Sequence, residues 1–322
     1  MSSTSIQMLI DEQLQATERL MQAQMTSEVP LAQMVMSYAI NNGGKRFRPM
    51  LTLLSAGLCA YQNERAITLA ALIEFIHNAT LLHDDVVDES KMRRGKDSAN
   101  IAFGNAASVL VGDFLYTRAF ELMVSLGEMR VLAVMSQATN LIASGEVMQL
   151  SNLHNPEVDE ARYFRVIELK TAVLFSAACE CAGILAGVEK QKIDALRQYG
   201  RCLGMAFQII DDLLDYHGDE ARIGKALGDD LAEGKPTLPL IRALERLQEE
   251  DATRLREIIR AGEREAIAEV VALLAKTDAV AYSLEVARKM CAQAREVLAV
   301  FADNAYKEAL LALADNAIER LA

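Results

Sequence analysis

Residues 69–88 read Leu-Ala-Ala-Leu-Ile-Glu-Phe-Ile-His-Asn-Ala-Thr-Leu-Leu-His-Asp-Asp-Val-Val-Asp. Leu69, Leu72, Ile73 and Ile76, then Thr80, recur at helical spacing, so the stretch predicts an α-helix. It ends in the word Asp84-Asp85-Val86-Val87-Asp88. A second copy, Asp211-Asp212-Leu213-Leu214-Asp215, starts 127 residues later (211 − 84) in another apolar stretch. Three carboxylates in an apolar helix are costly to bury unless a cation meets them. Two such clusters point to one site with several divalent ions, closed from two sides. The ligand suited to it carries many negative oxygens, as a diphosphate does.

The rest of the chain repeats the helical pattern. Ala, Leu, Met, Glu, Gln and Arg dominate, all good helix formers. Pro30, Pro49, Pro156, Pro236 and Pro239 fall at helix boundaries. No sustained alternation marks strands. The expectation is an all-α protein, a bundle of roughly a dozen helices, several apolar on most faces. Breaks are expected at Asn41 to Gly44, Lys91 to Ser98, Leu153 to Asp159 and Gly218 to Pro239. No linker-like segment appears, so residues 1–322 read as a single domain. The charged helices from Asp251 onward carry no chemical motif and read as scaffold.

Bulk properties narrow the function. The chain has 322 residues, 52% hydrophobic, and a net charge of −12, which argues against a nucleic-acid partner. Met1 to Met25 carries Asp11, Glu12 and Glu18 and lacks the apolar core of a signal peptide. Ala172 to Val188 is interrupted by Glu180 and short for a membrane span, so it reads as a buried helix and no transmembrane segment is expected. Five irregularly spaced cysteines suggest reduced thiols and a cytoplasmic location. Cys179 and Cys181 could be read as a metal pair, but no second Cys or His pair accompanies them, and small apolar packing residues are the better reading.

Within each aspartate word the first and last acids share a helix face, and the middle one points about a hundred degrees away. Like charges at i and i+4 destabilise a helix, so a counter-cation is implied. Mg²⁺ is the natural one, a hard ion bound by carboxylates, waters and phosphate oxygens together. Cations stand near both words. Gly43-Gly44-Lys45-Arg46-Phe47-Arg48-Pro49 is a Gly-rich turn with three of them, and Arg93-Arg94-Gly95-Lys96 follows Asp88. Lys170-Thr171, Lys225 and Lys235 lie in apolar or Gly-flanked segments. Arg forks and Lys point charges both suit phosphate oxygens, although any one of them alone reads as a solvated surface charge. His77, two turns before Asp84, is placed to reach a ligand or to serve as a hydrogen-bonded core His. His154 and His217 read as loop residues. No P-loop, nucleophile elbow or zinc motif is present.

In order, these segments resemble the trans-prenyl diphosphate synthase family. They are Gly44-Lys45-Arg46-Phe47-Arg48-Pro49, Leu82 to Asp88, Met92-Arg93-Arg94-Gly95, Gly112-Asp113-Phe114-Leu115, Gly145 to Leu150, Lys170-Thr171-Ala172, Phe207 to Asp215, and Gly224-Lys225 through Gly228-Asp229-Asp230-Leu231 to Glu233-Gly234-Lys235-Pro236-Thr237-Leu238-Pro239. The resemblance covers about residues 40 to 240 and is nearest to bacterial members that make the octaprenyl tail of quinones. It implies an all-α isoprenoid synthase fold around a deep central cavity, a homodimer, and two or three Mg²⁺ ions per site. Isopentenyl diphosphate and an allylic prenyl diphosphate are the implied substrates. Carried over by motif, Asp84 and Asp88 hold metal on the allylic diphosphate, Asp211 completes the cluster from the opposite helix, and Asp215 is a further ligand. Asp85, Asp212 and Lys170 join Asp84, Asp88 and Asp211 as catalytic residues. Lys45, Arg48, His77 and Arg94 bind isopentenyl diphosphate. Arg93, Lys170, Thr171, Gln208, Lys225 and Lys235 bind the allylic diphosphate.

The implied reaction fits the absence of a general-base motif. Charge is withdrawn from the leaving diphosphate, the allylic C–O bond ionises, the isopentenyl double bond attacks, and the departing diphosphate takes the proton. The growing tail runs down from the first word, past Ala79 and Thr80 at the wall. Ala79 leaves room for a long product, and Phe120, Met123 and Met135 are candidates for the floor or plain core packing. The alternatives are a synthase of C15–C25 products, a terpenoid cyclase or head-to-head enzyme, and a non-catalytic subunit of a heteromeric synthase. Dependence on isopentenyl diphosphate separates the cyclase, and activity of the lone chain separates the subunit.

Overall fold

A computed structural model of the chain describes residues 3–41, 46–217 and 227–319. The fold is all-α, as the periodicity predicts. Its contacts divide the chain into two compact units: Met1–Thr139 with Phe175–Arg197 and Leu298–Ala312, and Asn140–Leu174 with Gln198–Val297 and Leu313–Ala322.

In the first unit the central element is the helix Glu64–Val87. Asn63 starts it, its side chain accepting from the N–H groups of Arg65 (3.0 Å) and Ala66 (3.4 Å), the usual cure for orphan N-terminal donors. Leu69 through Ile73, with Phe75 and Ile76, are fully buried, so this helix is apolar on most faces, as a central bundle helix should be. It packs against Asn105–Ser125, Phe47–Leu58 and Asp11–Gln24. Arg65 donates to the Leu126 carbonyl (2.6 Å) and ties the helix start to its neighbour. Gly112 lets the two helices close up beside the first aspartate word: a Cβ there would overlap the His83 ring.

No strands were expected, yet Met92–Arg93 and Lys96–Asp97 pair as a minimal antiparallel hairpin. Arg94 (φ 54°) and Gly95 (φ 76°) form its turn, both left-handed, which is what a tight two-residue hairpin turn requires. Arg-Gly is a weak turn signal beside Asn-Gly, and strands this short leave no alternation to read.

In the second unit Glu160–Ile167 continues through a five-residue π turn, Glu168–Ala172; the chain then runs on as the helix Val173–Ala186, which belongs to the first unit from Phe175. The helix Lys190–His217, in the second unit from Gln198 onward, carries the second aspartate word near its end. Ile209, Ile210, Leu213 and Leu214 anchor it in a core shared with Tyr163, Ile167, Leu238 and Ile241. The expected break after it contains a short helix, Asp229–Ala232. Leu238–Arg246, Glu249–Ala261, Ile267–Ala275 and Ala279–Val297 complete this unit's described core.

The helices Glu64–Val87 and Glu160–Ala186 are long and apolar enough to cross a membrane. In their most apolar windows 67% and 72% of the residues are buried inside the protein, as in the core helix of a globular fold. The stretch from Ala172 onward is thus the buried helix that was expected.

Candidate functional site

In the first unit Asp84 and Asp88 are half-buried and Asp85 is buried. The Asp88 N–H closes the last helical turn on the Asp84 carbonyl (2.8 Å). The middle acid has its own cation: Arg93 donates to Asp85 Oδ1 from Nε (2.7 Å) and from its terminal nitrogen (2.6 Å). Asn100 Nδ2 caps the Asp85 carbonyl (3.0 Å). The hairpin that brings Arg93 is held in turn by Tyr38, whose hydroxyl donates to the Asp97 carbonyl (2.7 Å). A small pocket beside the word is lined by Tyr38, Asn78, Asp85, Arg93, Arg94 and Asp97.

Four arginines act on His77. Burial pushes the His77 pKa well below its usual 6.5, and Arg48, Arg94, Arg93 and Arg46 push it further. His77 is thus held toward its neutral imidazole form by burial and by the charges of four arginines, groups whose planar forks suit phosphate oxygens. Arg48 stacks over Phe175 (4.9 Å to the ring centre), which fixes its planar head. Arg46, at φ 45°, donates to Glu74 (3.2 Å) and to the Ile40 carbonyl (2.9 Å) and pairs with Glu18. Glu74 is buried, and that burial pushes its pKa up against the pull of Arg46 and Arg48. The Arg46 pairs brace the basic turn. Lys45, like Lys225 of the second cluster, lies outside the described residues.

Among the wall candidates Ala79, Met123 and Met135 are buried in the first unit, and Thr80 and Phe120 are half-buried. Thr80 donates its hydroxyl to the His77 carbonyl (2.8 Å).

The second unit repeats the treatment of the middle acid with neutral partners. Asp212 is buried and accepts from the Tyr163 hydroxyl (2.6 Å) and from Gln208 Nε2 (2.8 Å). Gln208 Oε1 in turn accepts from Thr171 (2.8 Å). One hydrogen-bonded chain thus joins Thr171, Gln208 and Asp212. Asp211 is exposed and Asp215 half-buried. Asp215 accepts two backbone N–H groups, from Asp229 and Asp230, each at 3.1 Å. Burial, then the Asp230 charge, pushes Asp215 up to about 8, and the same two causes push Asp212 well above the carboxylate range.

Lys170 sits on the π turn and pairs with Glu146 (2.7 Å). Such turns concentrate at functional positions because they re-aim side chains out of helical register. Gly145 lets the turn approach: a Cβ there would lie 2.7 Å from the Lys170 nitrogen. Lys235 pairs with Glu233 and approaches Asp230 (3.8 Å).

The first unit therefore brings together Arg48, His77, Arg93, Arg94 and Asp85. The second brings together Lys170, Thr171, Gln208, Asp212, Asp215 and Lys235. Glu74, Glu146, Tyr163 and Asp230 were missed as site residues. Glu146 and Asp230 stand inside quoted motif segments, whereas Tyr163 and Glu74 carry no local signal.

Among the described residues no three Asp, Glu, His or Cys side chains converge as a finished metal cage. The donor set still suits a hard divalent ion: it is all carboxylate oxygen, and burial, then repulsion by the Asp230 charge, raises the pKa of both Asp212 and Asp215. A cation would relieve that repulsion, and Mg²⁺ normally keeps waters and substrate phosphates among its ligands.

The polyprenyl synthetase family profile matches residues 29–276. The chain is 50% identical over 298 residues to octaprenyl diphosphate synthase of Escherichia coli, covering 92% of each chain. It is 46% identical over 321 residues to octaprenyl diphosphate synthase of Haemophilus influenzae, covering 99% of this chain and 98% of that one. A polyprenyl synthase of Caulobacter crescentus, solved with calcium and isoprenyl diphosphate, superposes with a TM-score of 0.96 at 42% identity, covering 100% of this chain and 98% of the other.

Proposed function

The chain belongs to the polyprenyl synthetase family, and from that premise we propose that it is a long-chain all-trans prenyl diphosphate synthase. It condenses isopentenyl diphosphate head to tail onto an allylic diphosphate, farnesyl diphosphate by preference, to an octaprenyl product for quinone side chains. The observation that carries the reading is the pair of aspartate words, each with its middle acid buried and held by a partner of its own. That leaves the outer acids at the surface of each cluster, beside groups suited to phosphate oxygens.

Asp84, Asp88, Asp211 and Asp215 would hold two or three Mg²⁺ ions, which when bound withdraw charge from the leaving diphosphate. The chain's own groups do the rest. Arg48, Arg94 and neutral His77, with Lys45, bind isopentenyl diphosphate. Lys170, Thr171, Gln208 and Lys235, with Arg93 and Lys225, bind the allylic diphosphate. Each of Arg93, Lys170 and Lys235 stands paired with a carboxylate, so each is held in place before a diphosphate exchanges for that partner. The apolar wall at Ala79 excludes water from the carbocation. The protein works as a single synthase domain, a homodimer and a cytoplasmic enzyme, with peripheral membrane contact for release of the product.

The test is incubation of the purified chain with farnesyl diphosphate, labelled isopentenyl diphosphate and Mg²⁺, then sizing of the dephosphorylated products. A C40 band abolished by EDTA is expected. A C15–C25 ladder would overturn the product length, and absence of incorporation would overturn the synthase reading.

A further inference from the structure

The second cluster depends on a segment that is a single capped helical turn. Gly228–Lys235 supplies the two N–H groups that hold Asp215 and ends in Lys235, yet its one helix, Asp229–Ala232, is four residues long. Two groups from distant parts of the chain grip it. His154 sits at φ 60° and donates its backbone N–H to the Gly234 carbonyl (2.8 Å). Its ring fills the space above Gly234, where a Cβ would lie 2.6 Å from Cε1 and 2.7 Å from Cγ. The same ring edge covers Gly262, where a Cβ would lie 3.0 Å away. Gly234 (φ 68°) and Gly262 (φ 62°) are also left-handed, so three turns from three segments meet on one imidazole. At the other end Arg264 pairs with Asp229, and Gly228 rests against Ile267, a Cβ there lying 3.2 Å from its Cδ1.

We propose that His154 and Arg264 are positioning residues: they hold Gly228–Lys235 in the geometry that aims Lys235 and orients the Asp215 carboxylate toward a metal-bound diphosphate. This rests on the reading above, that the cluster takes the allylic diphosphate. The argument is one of freedom. Gly234 caps the short helix, its N–H on the Leu231 carbonyl (3.0 Å) and that of Lys235 on the Asp230 carbonyl (2.9 Å); without the imidazole packed on it, this glycine turn frays more readily into the wide φ/ψ range open to glycine and moves Lys235. Without Arg264, Asp229 loses its charge partner, and the N–H groups at Asp229 and Asp230 lose their fixed direction toward Asp215. Groups that orient metal ligands from behind typically change metal affinity or activity about 10–100-fold when removed.

The experiment compares His154→Ala, Arg264→Gln and His154→Asn with the parent chain, Asn being, after glycine, the residue that best tolerates a left-handed φ. Two kinds of readout are taken: KM for farnesyl and isopentenyl diphosphate with the half-saturating Mg²⁺ concentration, and the thermal shift caused by Mg²⁺ with inorganic pyrophosphate. His154→Ala and Arg264→Gln should each raise the Mg²⁺ requirement and the farnesyl KM about 10-fold, leave the isopentenyl KM unchanged, and shrink the thermal shift. His154→Asn should recover part of each loss. Both KM values rising together, or a lower melting temperature with an unaltered Mg²⁺ response, would overturn the proposal. If the parent chain transfers no prenyl group, the synthase reading fails, and the pyrophosphate shift alone then decides whether these two residues position the cluster.

Discussion

Arg46 shows how one residue can serve a site without touching a ligand. Its guanidinium is shared between Glu18 and Glu74, and Glu74 is buried. Removing one member of a buried pair leaves an uncompensated charge, which costs about 3–5 kcal/mol. Arg46→Met should therefore lower the urea unfolding free energy by about 3 kcal/mol and weaken isopentenyl diphosphate binding through the basic turn. A loss within a few tenths of a kcal/mol would show that Arg46 braces nothing. His77 makes a pH prediction. Burial and four arginines hold its folded pKa below the usual 6.5. The unfolded chain then takes the proton first as pH falls, so the contribution of neutral His77 is complete above 6.5 and is lost as pH drops through that value. His77→Gln should flatten the fall in unfolding midpoint between about pH 7 and pH 5; an unchanged slope would refute the neutral-imidazole assignment. The outer acids and the basic turns were legible at this scale, because each is a local word. Tyr163 was not, since its partner Asp212 is 49 residues away and only folding brings them together.

The helices follow directly from the apolar spacing, and the break at Leu153 to Asp159 fell where Pro156 and polar residues placed it. Two elements escaped. The hairpin Met92–Asp97 is too short to show a period of two. The π turn Glu168–Ala172 is hidden inside an uninterrupted apolar run, since one extra residue per turn scarcely disturbs a 3.6-residue pattern. That turn depends on Gly145, which suggests a direct test. Gly145→Ala forces the Lys170 backbone away, because the added Cβ would sit 2.7 Å from its nitrogen. Overpacking of this kind costs about 1–3 kcal/mol. The variant should lose that much stability and show a raised KM for the allylic substrate; a normal KM would mean that Lys170 binds elsewhere.

At the scale of the whole molecule, product length is the property to explain. Ala79 is buried on the helix that carries the first aspartate word, and five residues correspond to about 7–8 Å along it. Ala79→Tyr should shorten the product to roughly C15–C20, since a phenol at that depth meets the tail after about three or four isoprene units. Chromatographic sizing of the dephosphorylated products decides it, with the melting temperature as a check on folding. An unchanged product would move the ruler to other residues, Phe120, Met123 and Met135 among them.

By itself the amino-acid sequence determined the helical class, the two acidic words and the basic turns, because each is written in residues close together along the chain, where helix periodicity and side-chain spacing act. Only the tertiary structure decided which acids are buried and what holds them: Arg93 on Asp85, Tyr163 and Gln208 on Asp212, and two N–H groups on Asp215. It also brought His154 to Gly234, 80 residues on (234 − 154), and Arg264 to Asp229, 35 residues back. Burial and hydrogen-bond partnership are set by approaches between distant segments. The side chains concerned obey no local pattern, so their roles exist only once the chain has folded.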